Sequence, residues 1–212
     1  MQTPSYITIT PNWPHVAKVK AQCIFEEKPG FMQLRSPYFS PIKYREHIET
    51  LPQDNPMITL ARIEQHHDNK CIEASKYGFR PKADACYTTQ NALACSVVVA
   101  DCIPVLLTHK TRPWIAAIHA GWRGLHKEII RHSIAKCPYP ANEVQAWIGP
   151  SICKKCYDVG ENLVSAFTKL DKAYAHYFSY EQNSIKADLS SIAKYQLQTL
   201  GIEDITHANI CT

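Results

Sequence analysis

The sequence predicts an α/β or α+β sandwich of mixed β-sheets flanked by helices, and three observations carry that prediction. Four apolar runs, Met57-Ile-Thr-Leu-Ala-Arg-Ile63, Cys95-Ser-Val-Val-Val-Ala100, Trp114-Ile-Ala-Ala-Ile118 and Val144 to Ile148, are β-rich and too short for buried helices. Other segments repeat their apolar residues at helical spacing, as Leu125, Ile129, Ile130 and Ile134 do. The two kinds of segment are mixed without the regular βαβ alternation of a doubly wound sheet.

Taken in order, the proline-rich first 60 residues read as strands and loops, with one short helix around Lys43 to Leu51. Met57 to Ile63 alternates as a strand with one buried face and delivers Gln65-His66-His67 to its exit. Cys95 to Ala100 and Trp114 to Ile118 are read as central strands. After the second comes Gly121-Trp-Arg-Gly124 and then one helix through Ile134, the order strand, glycine turn, helix. Val144 to Ile148 is a strand that ends at Gly149-Pro150, and a helix carrying Leu163, Phe167 and Leu170 opens after Gly160. Asp188 suits an N-cap and Gly201 a C′ position for a last helix through Leu189, Ile192, Leu197 and Leu200, after which Ile202 to Cys211 returns to a sheet.

A chain of 212 residues, 45% hydrophobic and 20% charged, has enough apolar material for a sizeable core, and residues 1–212 read as a single domain with no low-complexity linker. The net charge of +4 is spread without a basic run that would follow a phosphate backbone, so nucleic acid is not an expected partner. The start lacks a charged and apolar leader, and the longest apolar stretch, Ala92 to Leu107, is interrupted by Ser96, Asp101 and Pro104. A soluble cytoplasmic protein without a membrane partner is expected, and a monomer is favoured. An odd count of nine cysteines in such a chain reads as reduced thiols. Cys153-Lys-Lys-Cys156 is redox-active, half of a zinc knuckle, or idle, and no second C-x-x-C completes a knuckle.

Chemistry concentrates where these elements end. Cys102 and His119 close neighbouring apolar runs, and His66 or His67 offers a third donor; a Cys plus two His is a set that zinc takes up while keeping a position open for water or substrate. Singly, each reads as well as a loop histidine, a small buried thiol or a satisfied strand-end residue. Their joint placement at strand ends points to a shared site. Alternation sets Asp101 on the face opposite Cys102, where it supports the Pro104 turn or the GWRG loop. Arg123, with the amides of the glycine turn, makes an anion cradle for phosphate or a developing oxyanion, or else it bridges to Asp84 or Asp101 while Trp122 packs the turn. His109, His126, His132 and Lys127 read as surface or helix-face residues, and Cys23, Cys71, Cys86, Cys95 and Cys137 as buried or idle thiols.

Asp84-Ala85 with Thr89, Ala100-Asp-Cys-Ile-Pro104, His119-Ala-Gly-Trp-Arg-Gly124, Ile148-Gly-Pro-Ser-Ile152 and Tyr157-Asp-Val-Gly160 resemble, in this order, the motifs of the YfiH-like family, also called the laccase-domain or polyphenol oxidoreductase family. The likeness runs from about Gln65 through Cys211-Thr212. It implies an α/β/β/α layered sandwich with two central mixed sheets, and zinc held by His67, Cys102 and His119. His67 is preferred to His66 because the family places its histidine two residues after the glutamine. It also implies a purine nucleoside as substrate, with adenosine deamination, phosphorolysis, or both, and catalytic roles for Cys102, His119 and Arg123. Phosphate is then a second substrate, no organic cofactor is needed, and copper displaces zinc only by raw affinity. Cys211 lines the site from the C-terminal strand by the same resemblance. Residues 20–45 lack the family's N-terminal pattern and leave Arg35 unaligned, so the substrate walls are expected to differ while the metal site is kept.

Three other functions compete. A copper laccase needs histidines in His-x-His pairs, and the sequence has none. A cysteine- or zinc-dependent amidase acting on cell-wall precursor peptides would use Cys102 as nucleophile and His119 as base. A catalytically degenerate zinc-binding homologue would keep the ligands alone.

Overall fold

A computed structural model describes residues 5–11, 13, 21, 23–27, 59–74 and 80–212. Its framework is a six-stranded mixed sheet. At the centre β7 (Ile103–His109) and β8 (Ile115–Ala120) run antiparallel, with β9 (Val144–Ile148) beyond β7 and β5 (Ala85–Thr88) beyond β8. The parallel edges are β4 (Cys71–Glu73) on β5 and β13 (Asp204–His207) on β9. The spatial order is therefore β13-β9-β7-β8-β5-β4.

Side chains alternate across a strand, and here the two faces do different work. Ile103, Val105 and Leu107, Ala116, Ile118 and Ala120, and Val144, Ala146 and Ile148 all point to one face and are buried. Against this face pack α1 (Trp122–His126), α2 (Ile129–Ile134) and, after α3 (Glu161–Leu170), α4 (Leu189–Thr199); with α3 they contribute Leu125, Ile129, Ile130, Phe167, Ile192 and Leu197 to the same core. The opposite face carries Cys86, which joins Ala61, Ala74 and Leu93 in a smaller cluster beneath the parallel pair β3 (Thr59–Ala61) and β6 (Leu93–Cys95). His119 lies on this second face, its Cα opposite Pro104. Two smaller sheets complete the described strands: β10 (Asp158–Val159), β12 (Ser184–Ala187) and β11 (Phe178–Glu181) in that order, and the antiparallel pair β1 (Ser5–Ile9) and β2 (Cys23–Glu27). Mixed sheets flanked by helices are what the sequence predicts.

Two elements differ from expectation. The helix expected through Leu125 and Ile134 is broken at Glu128, which adopts a left-handed conformation (φ 59, ψ 41). The reorientation buries Leu125, Ile129 and Ile130 completely, which one continuous short helix lying flat on the sheet would not arrange. The run Cys95 to Ala100 is a strand only at Cys95, because the Gln65 side chain takes over its backbone: the Val98 N–H donates to Gln65 Oε1 (2.7 Å) and Gln65 Nε2 donates to the Val98 carbonyl (2.8 Å). The central strand begins instead at Ile103. The expected helix over residues 43–51 lies outside the described residues.

The last helix follows its sequence signals closely. Asp188 caps it by accepting from the Ser191 N–H (2.9 Å) and from the hydroxyls of Ser190 and Ser191. Gly201 ends it at φ 86, and the Ile202 N–H then reaches back to the Leu197 carbonyl (3.1 Å), with both side chains fully buried. No described helix is long and apolar enough to cross a membrane. Replacing Asp188 by Ala is expected to lower stability by about 1 kcal/mol, read as a reduced denaturation midpoint at unchanged slope in urea.

Candidate metal centre

His67, Cys102 and His119 come together from three chain segments, and their donor atoms all lie within 4.8 Å of one another. His119 is the next-to-last residue of β8, Cys102 sits in the turn before β7, and His67 lies on the loop that leaves β3. The two imidazoles meet edge to face, with ring centroids 4.6 Å apart. Exposure is graded: His119 is buried, Cys102 half-buried and His67 exposed. A group held among them would have protein on one side and access on the other.

The geometry is set by Asp84, which is completely buried at the start of β5. Its Oδ1 accepts from the His67 N–H (2.8 Å), and its Oδ2 from the N–H groups of His66 (3.1 Å) and Asp68 (2.8 Å). Successive amides converging on one anion form a nest that requires a left-handed residue. His67 is that residue, at φ 59. Oδ1 also pairs with His119 Nδ1 at 2.9 Å. In the neutral ring a carboxylate there keeps the proton on Nδ1 and leaves Nε2 as the lone-pair donor.

The charges follow from these contacts. Burial opposes ionisation of Asp84, yet the His119 ring and the loop amides outweigh it and hold the carboxyl below its ordinary value. Burial likewise opposes a charged His119, but Asp84 and the adjacent Cys102 sulfur push the imidazole up to about 9. His67 moves the other way, lowered by burial, by His119 and by Arg123 against the pull of Asp84. Gly121 closes the floor. A Cβ there would sit 2.9 Å from Cys102 Sγ and 3.3 Å from the His67 ring, so the close approach of these two ligand candidates needs a glycine.

Residues 45–212 match the family described as multi-copper polyphenol oxidoreductase laccase. The chain belongs to that family. Proteins named purine nucleoside phosphorylase are among its relatives: one from Haemophilus influenzae is 33% identical over 76% of this chain, and one from Shigella flexneri, named YfiH, is 30% identical over 71%. The chain spans 66% and 62% of the length of these two relatives. A solved structure from Neisseria meningitidis superposes with a TM-score of 0.83 at 27% identity, covering 96% of this chain and 88% of that one. The YfiH-like resemblance of the sequence motifs and the layered fold it implies both hold.

Within this laccase-family fold the other residues singled out from sequence fall into place. His66 points away from the cluster and pairs with Glu64 (2.8 Å). Arg123 is exposed and stacks over the Trp122 ring at 4.4 Å; among the described residues it forms no ion pair with Asp84 or Asp101. Helix α1 behind it has only five residues. Asp101 supports neither the Pro104 turn nor the GWRG loop. Its Oδ1 accepts from the Thr212 hydroxyl (3.2 Å) and its carbonyl from the Ile152 N–H (3.0 Å), so it ties down the C-terminal segment. His109 is not on the surface. It is buried at the end of β7, bonded to Glu143 and to the amides of Thr111 and Arg112. Cys211 lies with Cys153 and Cys156 in a group separate from His67, Cys102 and His119.

Asp84 and Tyr157 were not recognised from sequence as site residues. Asp84 is a lone acid between Ala83 and Ala85 directly ahead of a strand, with Lys82 two residues before it, so no local pattern singles it out. Tyr157 follows Cys156 and is half-buried; burial raises its phenol, and the charges of Cys102 and Arg123 both reach it.

The proton on His119 gives the metal-free protein a pH-dependent stability. An imidazole raised by folding from 6.5 to about 9 contributes stability that is fully present below 6.5 and lost as pH rises through 9. Urea unfolding of metal-free protein is therefore expected to show stability falling over that window, and Asp84→Asn is expected to flatten the profile.

Proposed function

We propose that the chain is a zinc-dependent purine nucleoside enzyme, acting by adenosine deamination, by phosphorolysis of adenosine, inosine and related nucleosides, or by both. The observation that carries this reading is the convergence of His67, Cys102 and His119 at a site open on one side, in a family whose relatives include named purine nucleoside phosphorylases.

The donor set fits zinc: one thiolate and two imidazoles, with His119 presenting Nε2 because Asp84 occupies Nδ1. Zinc in such a set supplies Lewis acidity, which makes a water-derived nucleophile available near neutral pH. It does not fit a multicopper cluster. The sequence contains no His-x-His pair, and among the described residues the only other metal-competent group is made of thiols. Copper would compete for the three-donor site by affinity alone.

The remaining roles belong to the chain. Arg123, exposed beside the cluster, is suited to hold inorganic phosphate by charge-assisted hydrogen bonds. Tyr157 keeps its phenol proton and offers it to the purine or ribose. In phosphorolysis the bond from the purine nitrogen to the ribose anomeric carbon breaks and a phosphate oxygen bonds to that carbon, giving the free base and ribose 1-phosphate. In deamination the 6-amino group leaves as ammonia and oxygen from water takes its place.

One observation favours a second reading. His119 touches both Asp84 and the Cys102 sulfur, which is the order nucleophile, base, orienting carboxylate of a cysteine hydrolase. An amidase acting on cell-wall precursor peptides would use it. Such an enzyme keeps its activity in chelator, whereas the zinc enzyme loses it.

Purified protein is expected to hold zinc, and Asp84→Asn to weaken zinc binding by about 10- to 100-fold by calorimetric titration. Removing the metal is expected to lower the melting temperature, since binding to the folded state stabilises it by mass action. Chromatography over a nucleoside panel, with and without phosphate, tests the activity. His119→Ala is expected to abolish turnover, and Arg123→Ala to reduce the phosphate-dependent reaction by about 10- to 100-fold while affecting deamination less. No turnover of any purine nucleoside by fully metallated protein would contradict the reading.

A further inference from the structure

Cys153, Cys156 and Cys211 form a second cluster that the proposed chemistry leaves unused. Their sulfurs lie within 4.8 Å of one another, and none of the three is in a disulfide. Cys153 and Cys156 bracket a single 3-10 turn, Lys154–Cys156, closed by the Cys156 N–H donating to the Cys153 carbonyl (3.0 Å). That turn brings both thiols of the C-x-x-C to one side. The third sulfur arrives from beyond β13 and is fixed by backbone contacts: the Ser151 N–H donates to the Ile210 carbonyl (3.1 Å), and the Thr212 N–H to the Ser151 carbonyl (3.3 Å). The Cys153 N–H then donates directly to Cys211 Sγ (3.3 Å).

Three converging sulfurs are poorly explained as a redox pair. A disulfide joins two sulfurs at about 2.05 Å and leaves a third with no part. A soft cation bound at about 2.3 Å from each sulfur would set them roughly 3.7–4 Å apart, inside the spacing already present, and thiolates select such ions. Lys154 and Lys155 on the same turn offset the negative charge of the thiolates. An N–H aimed at sulfur favours the anionic form that a metal requires. The second C-x-x-C that a zinc knuckle would need is absent from the sequence, and Cys211, distant in sequence, supplies its sulfur instead.

We propose that Cys153, Cys156 and Cys211 are a second metal site, which takes a thiophilic d10 cation, Zn2+ or Cu+, through three sulfurs. Asp101, the neighbour of Cys102, connects to it by bonding to both Ile152 and Thr212, the residues next to Cys153 and Cys211. Loading it would pin the C-terminal segment against the turn that presents Cys102.

The metal-free chain, loaded separately with Zn2+ and with buffered Cu+, tests this by elemental analysis after desalting. The expected result with at least one of these ions is about two ions per chain in the wild type and about one in a Cys153→Ser, Cys156→Ser double variant. The ion that remains in the double variant should be lost on further replacement of Cys102. Alkylation of the wild type, followed peptide by peptide in a mass spectrometer, gives an arm that does not depend on the variant folding. Metal should slow modification of Cys153, Cys156 and Cys211 by about tenfold or more while leaving Cys137 unchanged. An unchanged metal count in the double variant, equal alkylation rates with and without both ions, or a disulfide between two of the three that persists in the presence of metal would overturn the proposal.

Discussion

The buried carboxylate of Asp84 is the interaction on which the candidate site depends. A carboxylate with no solvent exposure is tolerable only if its oxygens are fully engaged. Three amides of the His66 to Asp68 loop and the Nδ1 of His119 engage them. The same four contacts force His67 into the left-handed region, turn its ring toward the cluster, and fix which nitrogen His119 presents. One anion at the head of β5 thus aligns two ligand candidates from segments 52 residues apart in sequence (119 − 67).

The six-stranded sheet makes this possible by separating its faces. The helix-covered face holds the main apolar core, with His109 buried at its end, and lies across the sheet from the polar site. The opposite face carries His119 and receives the loops before β4 and β7. Gly121, immediately after β8, leaves the space in which Cys102 and His67 approach each other. Next to this arrangement Asp101 joins the Cys102 turn to the C-terminal segment, and so links the two candidate clusters.

Much of the fold was legible because its signals are local. The Asp188 cap, the Gly201 terminus, the Val144 to Ile148 strand and the return of the last segment to the sheet each rest on residues adjacent in sequence. The break at Glu128 was not legible, since nothing in Lys127-Glu-Ile129 demands a left-handed residue; packing of Leu125 against one part of the sheet and of Ile129 and Ile130 against another imposes it. The strand expected over Cys95 to Ala100 failed for a similar reason, as a side chain 33 residues away replaces its ladder. In the site, Cys102 and His119 could be found from their strand-end positions, and His67 from the family resemblance. Asp84 could not, because its role exists only once three segments meet. The joining of Cys211 to Cys153 and Cys156 was hidden by the same distance in sequence.

The central claim is that Asp84 holds the proton on His119 Nδ1 and so dedicates Nε2 to the metal. Nitrogen-15 NMR of the histidine rings, on metal-free protein and then on protein loaded with zinc, reads this directly. The account predicts that His119 Nδ1 stays protonated throughout while the resonance of Nε2 alone shifts on loading. A large shift at Nδ1, or no response from either nitrogen of His119 at full zinc occupancy, would contradict it.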